Sequence, residues 1–162
     1  MSPERRHPEI ANDPVLTARP VVLCVDDDLA ILSSLRRQFR EEPYEVVTAG
    51  SAAQALAALR RHPVSVIISD ERMPDASGSE LLAEVRARWP WIGRVILTAY
   101  PGHDIMTRGL DAGVDFLLFK PWDDESLKET VHRMLREAER ARGHLWTSNP
   151  EGDEHDLGGE SG

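Results

Sequence analysis

Between Val64 and Pro74 the chain reads VSVIISDERMP, an apolar stretch that breaks off at an acid just ahead of a Met-Pro pair. A short run rich in Val and Ile reads as a strand buried on both faces of a parallel sheet rather than as a helix. It leaves Asp70 at the carboxyl end of that strand, where open α/β sheets place their ligands and chemistry. Pro74 cannot continue a ladder and marks a loop. Taken alone, Asp70 reads as a turn cap. The rest of the chain changes that.

The same plan recurs along the chain. Val21 to Val25 is a second continuous apolar run, and it ends in Asp26-Asp27-Asp28. Ile31, Leu32, Leu35 and Phe39 then repeat at helical spacing, with Arg36, Arg37 and Arg40 off the stripe and Asp28 placed to cap the helix. Pro43 breaks it. A strand is expected over 44–49. Ser51 opens a helix through Ala55, Leu56 and Leu59 that stops before Pro63. Beyond the Met73-Pro74-Asp75 loop and Gly78, Leu81, Leu82, Val85 and Trp89 face inward from a helix ending at Pro90. A strand over 94–97 leads to Thr98. A helix near 103–112 has a stripe of Ile105, Met106 and Leu110, and Gly113 terminates it. A strand over 114–119 stops at Lys120-Pro121. A final helix over about 123–142 buries Leu127, Val131, Met134, Leu135 and Ala138, with Glu129 and Arg133 paired outside. Five strand-then-helix repeats predict an α/β fold, a parallel sheet covered by helices on both faces.

At 162 residues the chain fits one domain with extended ends. The expected division is a disordered leader over 1–19, a folded unit over 20–142, and an acidic flexible tail over 143–162. The net charge is −9, and the tail holds Glu151, Asp153, Glu154, Asp156 and Glu160 without a balancing Lys or Arg after Asn149. That balance argues against a nucleic-acid surface. Cys24 is the only cysteine, so no intrachain disulfide is expected. No apolar run is long enough for a membrane span, and the N-terminal residues lack the apolar stretch of a signal peptide. A cytoplasmic protein is the expectation. The six His residues show no metal-ligand spacing. No Gly-rich loop follows the first strand, so nucleotide binding of the P-loop or dinucleotide kind is unsupported. Lys128, Arg133, Arg136 and Arg140 alternate with acids on the last helix, which reads as a solvated face.

Four strand ends carry polar residues suited to phosphate chemistry: Asp26 and Asp27, Asp70, Thr98, and Lys120. Each has a bland reading alone, as a cap, a β-former or a solvated cation. Parallel strands bring all of them to one rim of the sheet. Three crowded carboxylates repel one another and resist full ionisation. They make sense around a hard divalent cation, and Mg²⁺ takes carboxylate and phosphate oxygens. Asp70 then serves as a nucleophile toward a phosphoryl group, yielding an aspartyl phosphate. Lys120 supplies a point charge, and the Thr98 hydroxyl donates to a phosphoryl oxygen.

The pieces VLCVDDD, ISDERMPDASG, VILTAY and LLFKPW, in this order and spacing, resemble a response-regulator receiver domain of two-component signalling. The resemblance covers roughly residues 20–142. It implies a doubly wound, flavodoxin-like sheet of order 2-1-3-4-5. It implies that Asp26 and Asp27 form the acidic pair for Mg²⁺, with Asp27 a direct ligand. Asp70 is then the phosphoacceptor and also a metal ligand, and Arg72 offers its backbone carbonyl to the metal. Thr98 is the switch hydroxyl and Lys120 the phosphate-pairing lysine. A cis Lys120-Pro121 bond is common in the family. The implied partners are a sensor histidine kinase or phosphotransfer protein and an unnamed output protein, with no direct contact to nucleic acid or membrane. The expectation is a phosphoacceptor that assists its own phosphorylation and dephosphorylation, not an enzyme acting on external substrates.

ISDERMP, RARWP and FKPWDDE also resemble receivers attached to hydrogenase-type regulators and to cyclic-dinucleotide phosphodiesterases. No such output domain is visible in the sequence, so the expectation is a receiver apparently without its own output domain, either free-standing or a piece of a longer regulator, and the ends of the chain favour neither. Two positions depart from the family pattern. Leu117 stands where receivers carry an aromatic switch residue. Phe116 takes that role if a one-residue bulge shifts the strand; otherwise Tyr100 is the candidate. Arg72 lies two beyond the acceptor, either shielding a phosphoryl group or simply solvated. The Leu117 departure leaves open a second reading, a phosphorylation-independent binding module on the same fold.

Overall fold

The structure, a computed structural model, describes residues 19–99 and 103–147. The expected leader except Arg19, and the expected tail from residue 148 on, lie outside the described residues, as does Tyr100. Strands β1 (Val21–Val25), β2 (Glu45–Ala49), β3 (Val64–Ser69), β4 (Gly93–Thr98) and β5 (Phe116–Phe119) alternate with five helices. These are α1 (Leu29–Gln38), α2 (Ala52–Arg61), α3 (Gly78–Arg88), α4 (His103–Ala112) and α5 (Asp124–Thr147). The strands form one parallel sheet in the order β2-β1-β3-β4-β5, as expected.

The central strands are apolar because both their faces are covered. β1 and β3 are buried along their whole lengths. On one face Leu23, Ile67 and Ile96 pack against Ala55 and Leu59 of α2 and Leu82 and Val85 of α3. On the other, Val22, Val66, Val95 and Leu97 pack against Leu32 and Leu35 of α1 and Leu127, Val131 and Met134 of α5. Burying a side chain of this size contributes about 1.5–3 kcal/mol. Cys24 sits within the second cluster, where burial pushes its thiol up to about 12, so it packs as a small hydrophobe.

Local signals start the helices where the sequence places them. The Asp28 carboxylate accepts from the Ala30 amide at 2.9 Å, and Ser51 accepts from the Gln54 amide at 3.1 Å. α3 begins with a reciprocal cap, in which the Ser77 hydroxyl takes the Glu80 amide and the Glu80 carboxylate takes the Ser77 amide. Gly113 closes α4 with φ +77°, a conformation that favours glycine.

Three details differ from the sequence expectation. α4 buries Ile105, Gly109 and Ala112, whereas Met106 and Leu110 are 55% and 78% exposed. A stripe of small residues lets α4 lie close, so the larger side chains face outward. α5 continues to Thr147, past the expected stop at residue 142, because a single glycine, Gly143, costs a helix only about 1 kcal/mol and no proline follows until Pro150. β5 starts at Phe116, because the Asp115 carboxylate is engaged at the head of β4, accepting the Arg94 amide at 2.8 Å. Arg94 itself is a buried clasp. Its guanidinium donates to the carbonyls of Gly113, Pro90 and Ile92.

Candidate functional site

The carboxyl ends of the strands are joined one residue beyond the sheet. The Asp26 amide donates to the Ala49 carbonyl at 3.1 Å, and the Asp70 amide donates to the Val25 carbonyl at 2.9 Å. The Lys120 amide donates to the Thr98 carbonyl at 2.8 Å. These bonds extend the ladder past the last apolar residues and fix the polar side chains that follow at one rim. With Ser69 opposite Ile96, Thr98 falls one residue above the level of Asp70, and it is fully buried.

Three of the expected residues meet directly. Carboxylate oxygens of Asp26, Asp27 and Asp70 lie within 4.8 Å of one another. Asp26 and Asp70 are buried and Asp27 is exposed, so the cluster opens to solvent on the Asp27 side. The Lys120 ammonium reaches the buried pair, at 2.7 Å from Asp26 Oδ2 and 3.4 Å from Asp70 Oδ1. The second oxygen of Asp26 accepts the Asp28 amide at 2.9 Å, which holds the carboxylate in place.

The electrostatics follow from this crowding. Burial, and then the charge of Asp26, push the Asp70 carboxyl above its ordinary value; Lys120 offsets only part of that. For Lys120, burial disfavours the charge, but hydrogen bonding to Asp26 and the two negative charges outweigh it and raise the ammonium pKa. Three carboxylates therefore face one ammonium. The remaining negative charge and the all-oxygen donor set fit a hard divalent cation such as Mg²⁺.

The loop after Asp70 is held by contacts that the sequence reading did not anticipate. Glu71 is buried, its carboxylate accepting the Ser79 amide at 2.9 Å, the Ser79 hydroxyl at 2.8 Å and the Arg108 guanidinium at 3.1 Å. Its carbonyl accepts the Gly78 amide at 2.9 Å. Asp75 reaches across to α2 and accepts the amides of Ala52 and Ala53, which hold its carboxyl below the ordinary range. Arg72 is exposed and lines a cleft of about 370 Å³ with Met73, Pro74 and Arg108. The only local hint of the Glu71 contacts is the Ser79 spaced eight residues on, with the loop over 72–77 turning back between them.

Gly78 is required by close approach. A Cβ there would collide with the Asp70 carbonyl and press on Glu71 Cα. Gly78→Ala is expected to cost about 1–3 kcal/mol, as overpacking does, and to weaken Mg²⁺ binding measured by calorimetry. Unchanged urea midpoint and affinity would mean the loop yields freely at that point.

The one-residue bulge that would bring Phe116 into the aromatic switch role is absent between β4 and β5. β4 and β5 pair without a shift, Val95 to Phe116 through Thr98 to Phe119. Leu117 therefore stays on the α2–α3 face, while Phe116 lies on the opposite face beneath the Arg133 guanidinium, 5.6 Å from its ring centre. An unbroken ladder cannot turn one residue to the other side. The Lys120-Pro121 bond is cis, as expected.

Comparison with known proteins agrees with this geometry. The family model described as "Response regulator receiver domain" matches residues 22–132. The hydrogenase transcriptional regulatory protein HoxA of Cupriavidus necator is 41% identical over 125 residues, covering 76% of this chain but 26% of that protein. The chain thus spans about a quarter of that relative's length. The signal receiver domain of an HD domain-containing protein from Pseudomonas fluorescens Pf-5 superposes with a TM-score of 0.76 at 30% identity, covering 78% of this chain and 94% of that one. A CheY-like response regulator receiver domain protein from Methanospirillum hungatei gives a TM-score of 0.73 at 31% identity, covering 76% and 99% respectively. No helix among the described residues is long and apolar enough to cross a membrane.

Proposed function

The chain belongs to the response regulator receiver domain family, and from that premise we propose that it is a phosphoacceptor switch charged on Asp70. The observation that carries this is the acid trio with the Lys120 ammonium set between its two buried members. We place the working unit at residues 20–142. The donor is a phosphohistidine on a sensor kinase or phosphotransfer protein, and the receiving environment is cytoplasmic.

The steps follow from the residues. An Asp70 carboxylate oxygen attacks phosphorus, a P–O bond forms, and the imidazole nitrogen leaves with the P–N bonding pair. Asp26, Asp27 and Asp70, with the Arg72 backbone carbonyl, are the groups that would hold Mg²⁺. When bound, the cation supplies charge neutralisation at the phosphoryl oxygens. Lys120 pairs with the transferred group, giving up part of its contact with the acids. Thr98 donates its hydroxyl to a phosphoryl oxygen. The added negative charge then shifts the balance between two arrangements of the surrounding elements. Catalysis here is positioning and charge compensation, and there is no turnover of an external substrate.

The test is incubation with acetyl phosphate and Mg²⁺, read by intact mass and peptide mapping. One phosphoryl group on the Asp70 peptide, absent when the cation is chelated, is the expected result. No label, or a label elsewhere, ends this reading. One observation favours the alternative of a phosphorylation-independent binding module: Leu117, not an aromatic residue, occupies the α2–α3 face of β5. In that case phosphate is taken up but amide shifts stay confined to the acid pocket.

A further inference from the structure

We propose that the Glu71–Arg108 ion pair couples the peptide carrying the acceptor to α4, so that α4 reads the state of Asp70 through this pair. The inference rests on the phosphoacceptor reading and adds the route out of the site. α4 is lightly anchored. It buries Ile105, Gly109 and Ala112 and packs chiefly on α3. Against that background a link from its middle turn to a buried acid matters. The Arg108 Nη1 lies 3.1 Å from Glu71 Oε2, and the Glu71 side chain is 5% exposed while that of Arg108 is 54% exposed. Arg108 also approaches Asp104 at 3.6 Å on α4 itself, a weaker and open contact.

The acceptor peptide has little slack. The Asp70 carbonyl accepts the Ser69 hydroxyl at 2.9 Å and lies hard against Gly78. Glu71 grips the start of α3 at both ends, its carbonyl on the Gly78 amide and its carboxylate on Ser79. A shift of the Asp70–Glu71 peptide on phosphorylation therefore moves the Glu71 carboxylate, and Arg108 follows it. The pair is a positioning device and touches no reacting atom. It offers a connection to α4 that does not depend on an aromatic side chain at residue 117. Because coupling is reciprocal, whatever holds α4 also alters the equilibrium at Asp70.

Hydrogen exchange of α4 amides, with and without acetyl phosphate and Mg²⁺, tests this in the full chain, in Arg108→Ala and in Arg108→Lys. Intact mass follows phosphate uptake in the same samples. In the unaltered chain, phosphorylation is expected to change α4 exchange severalfold. In Arg108→Ala, α4 exchanges faster before phosphorylation, and the phosphorylation-dependent change falls below twofold although Asp70 still takes up phosphate. Arg108→Lys restores part of the response. An undiminished response in Arg108→Ala, or an unresponsive α4 in an unaltered chain that takes up phosphate, overturns the inference alone. No uptake in the unaltered chain overturns the phosphoacceptor reading and this inference with it.

Discussion

Asp70→Asn is expected to lose phosphate uptake altogether and yet to unfold at a higher temperature than the unaltered chain. The first effect is chemical: an amide oxygen is a poor nucleophile toward phosphorus, and the substitution removes one of the three carboxylates of the cluster. The second follows from the raised Asp70 carboxyl, which burial and the neighbouring Asp26 make harder to ionise in the folded chain. The folded state therefore binds the proton more tightly than the unfolded state. Its ionisation cost is absent below the unfolded value of 3.8 and grows as pH rises through the window between 3.8 and the raised folded value. Asparagine removes that cost, so the variant's advantage is present at neutral pH and shrinks on acidification. Relief of strain at a functional site commonly contributes about 0.5–2 kcal/mol, or roughly several degrees in a domain of this size. Calorimetric melts at neutral and acidic pH measure it. Mg²⁺ should narrow the gap by neutralising the trio in the unaltered chain. An Asn variant that is less stable at neutral pH would show that the carboxylate is a net stabiliser.

The fold was legible because its signals are local. The runs at Val21–Val25 and Val64–Ser69 are apolar throughout and flanked by charge or turn residues, which is what strands covered on both faces require. The caps at Asp28 and Ser51 sit within three residues of the amides they satisfy. Asp26, Asp27, Asp70 and Lys120 were legible for a different reason. Parallel strands deliver every carboxyl end to the same rim, so alternation alone predicts their meeting. Glu71 was not legible. In ERMPD it reads as one more solvated loop acid, and its burial depends on where α3 and α4 lie. Arg94 is similar: a cation at the head of a strand gives no sign that three carbonyls from two loops converge on it. The α4 stripe held at Ile105 but failed at Met106 and Leu110, whose hydrophobicity suggests burial, while packing distance selects Gly109 and Ala112.

Lys120→Met is expected to be the most destabilising change at the site, and Mg²⁺ should repair most of it. The methionine keeps the apolar stem and removes the ammonium. Asp26 and Asp70 are then left buried without their cation. Breaking a buried ion pair by deleting one partner costs about 3–5 kcal/mol. The Lys120 side chain is 16% exposed, which allows some water to enter and favours the low end, about 3 kcal/mol. A cation that binds only the folded chain stabilises it by about 2.7 kcal/mol at a hundredfold excess over its dissociation constant. Saturating Mg²⁺ should therefore return the variant close to the unaltered chain. The ammonium also repels an incoming cation, so its removal should tighten Mg²⁺ binding, by about tenfold for each 1.4 kcal/mol of repulsion relieved. Phosphate uptake should fall even with Mg²⁺ saturating, because the cation neutralises the acids from a different place and leaves the transferred group without its ammonium partner. Urea titrations at several Mg²⁺ concentrations separate these effects. A variant with an unchanged urea midpoint and unchanged Mg²⁺ affinity would mean that Lys120 is not what balances the buried acids, and the charge accounting of the whole rim would have to be redrawn.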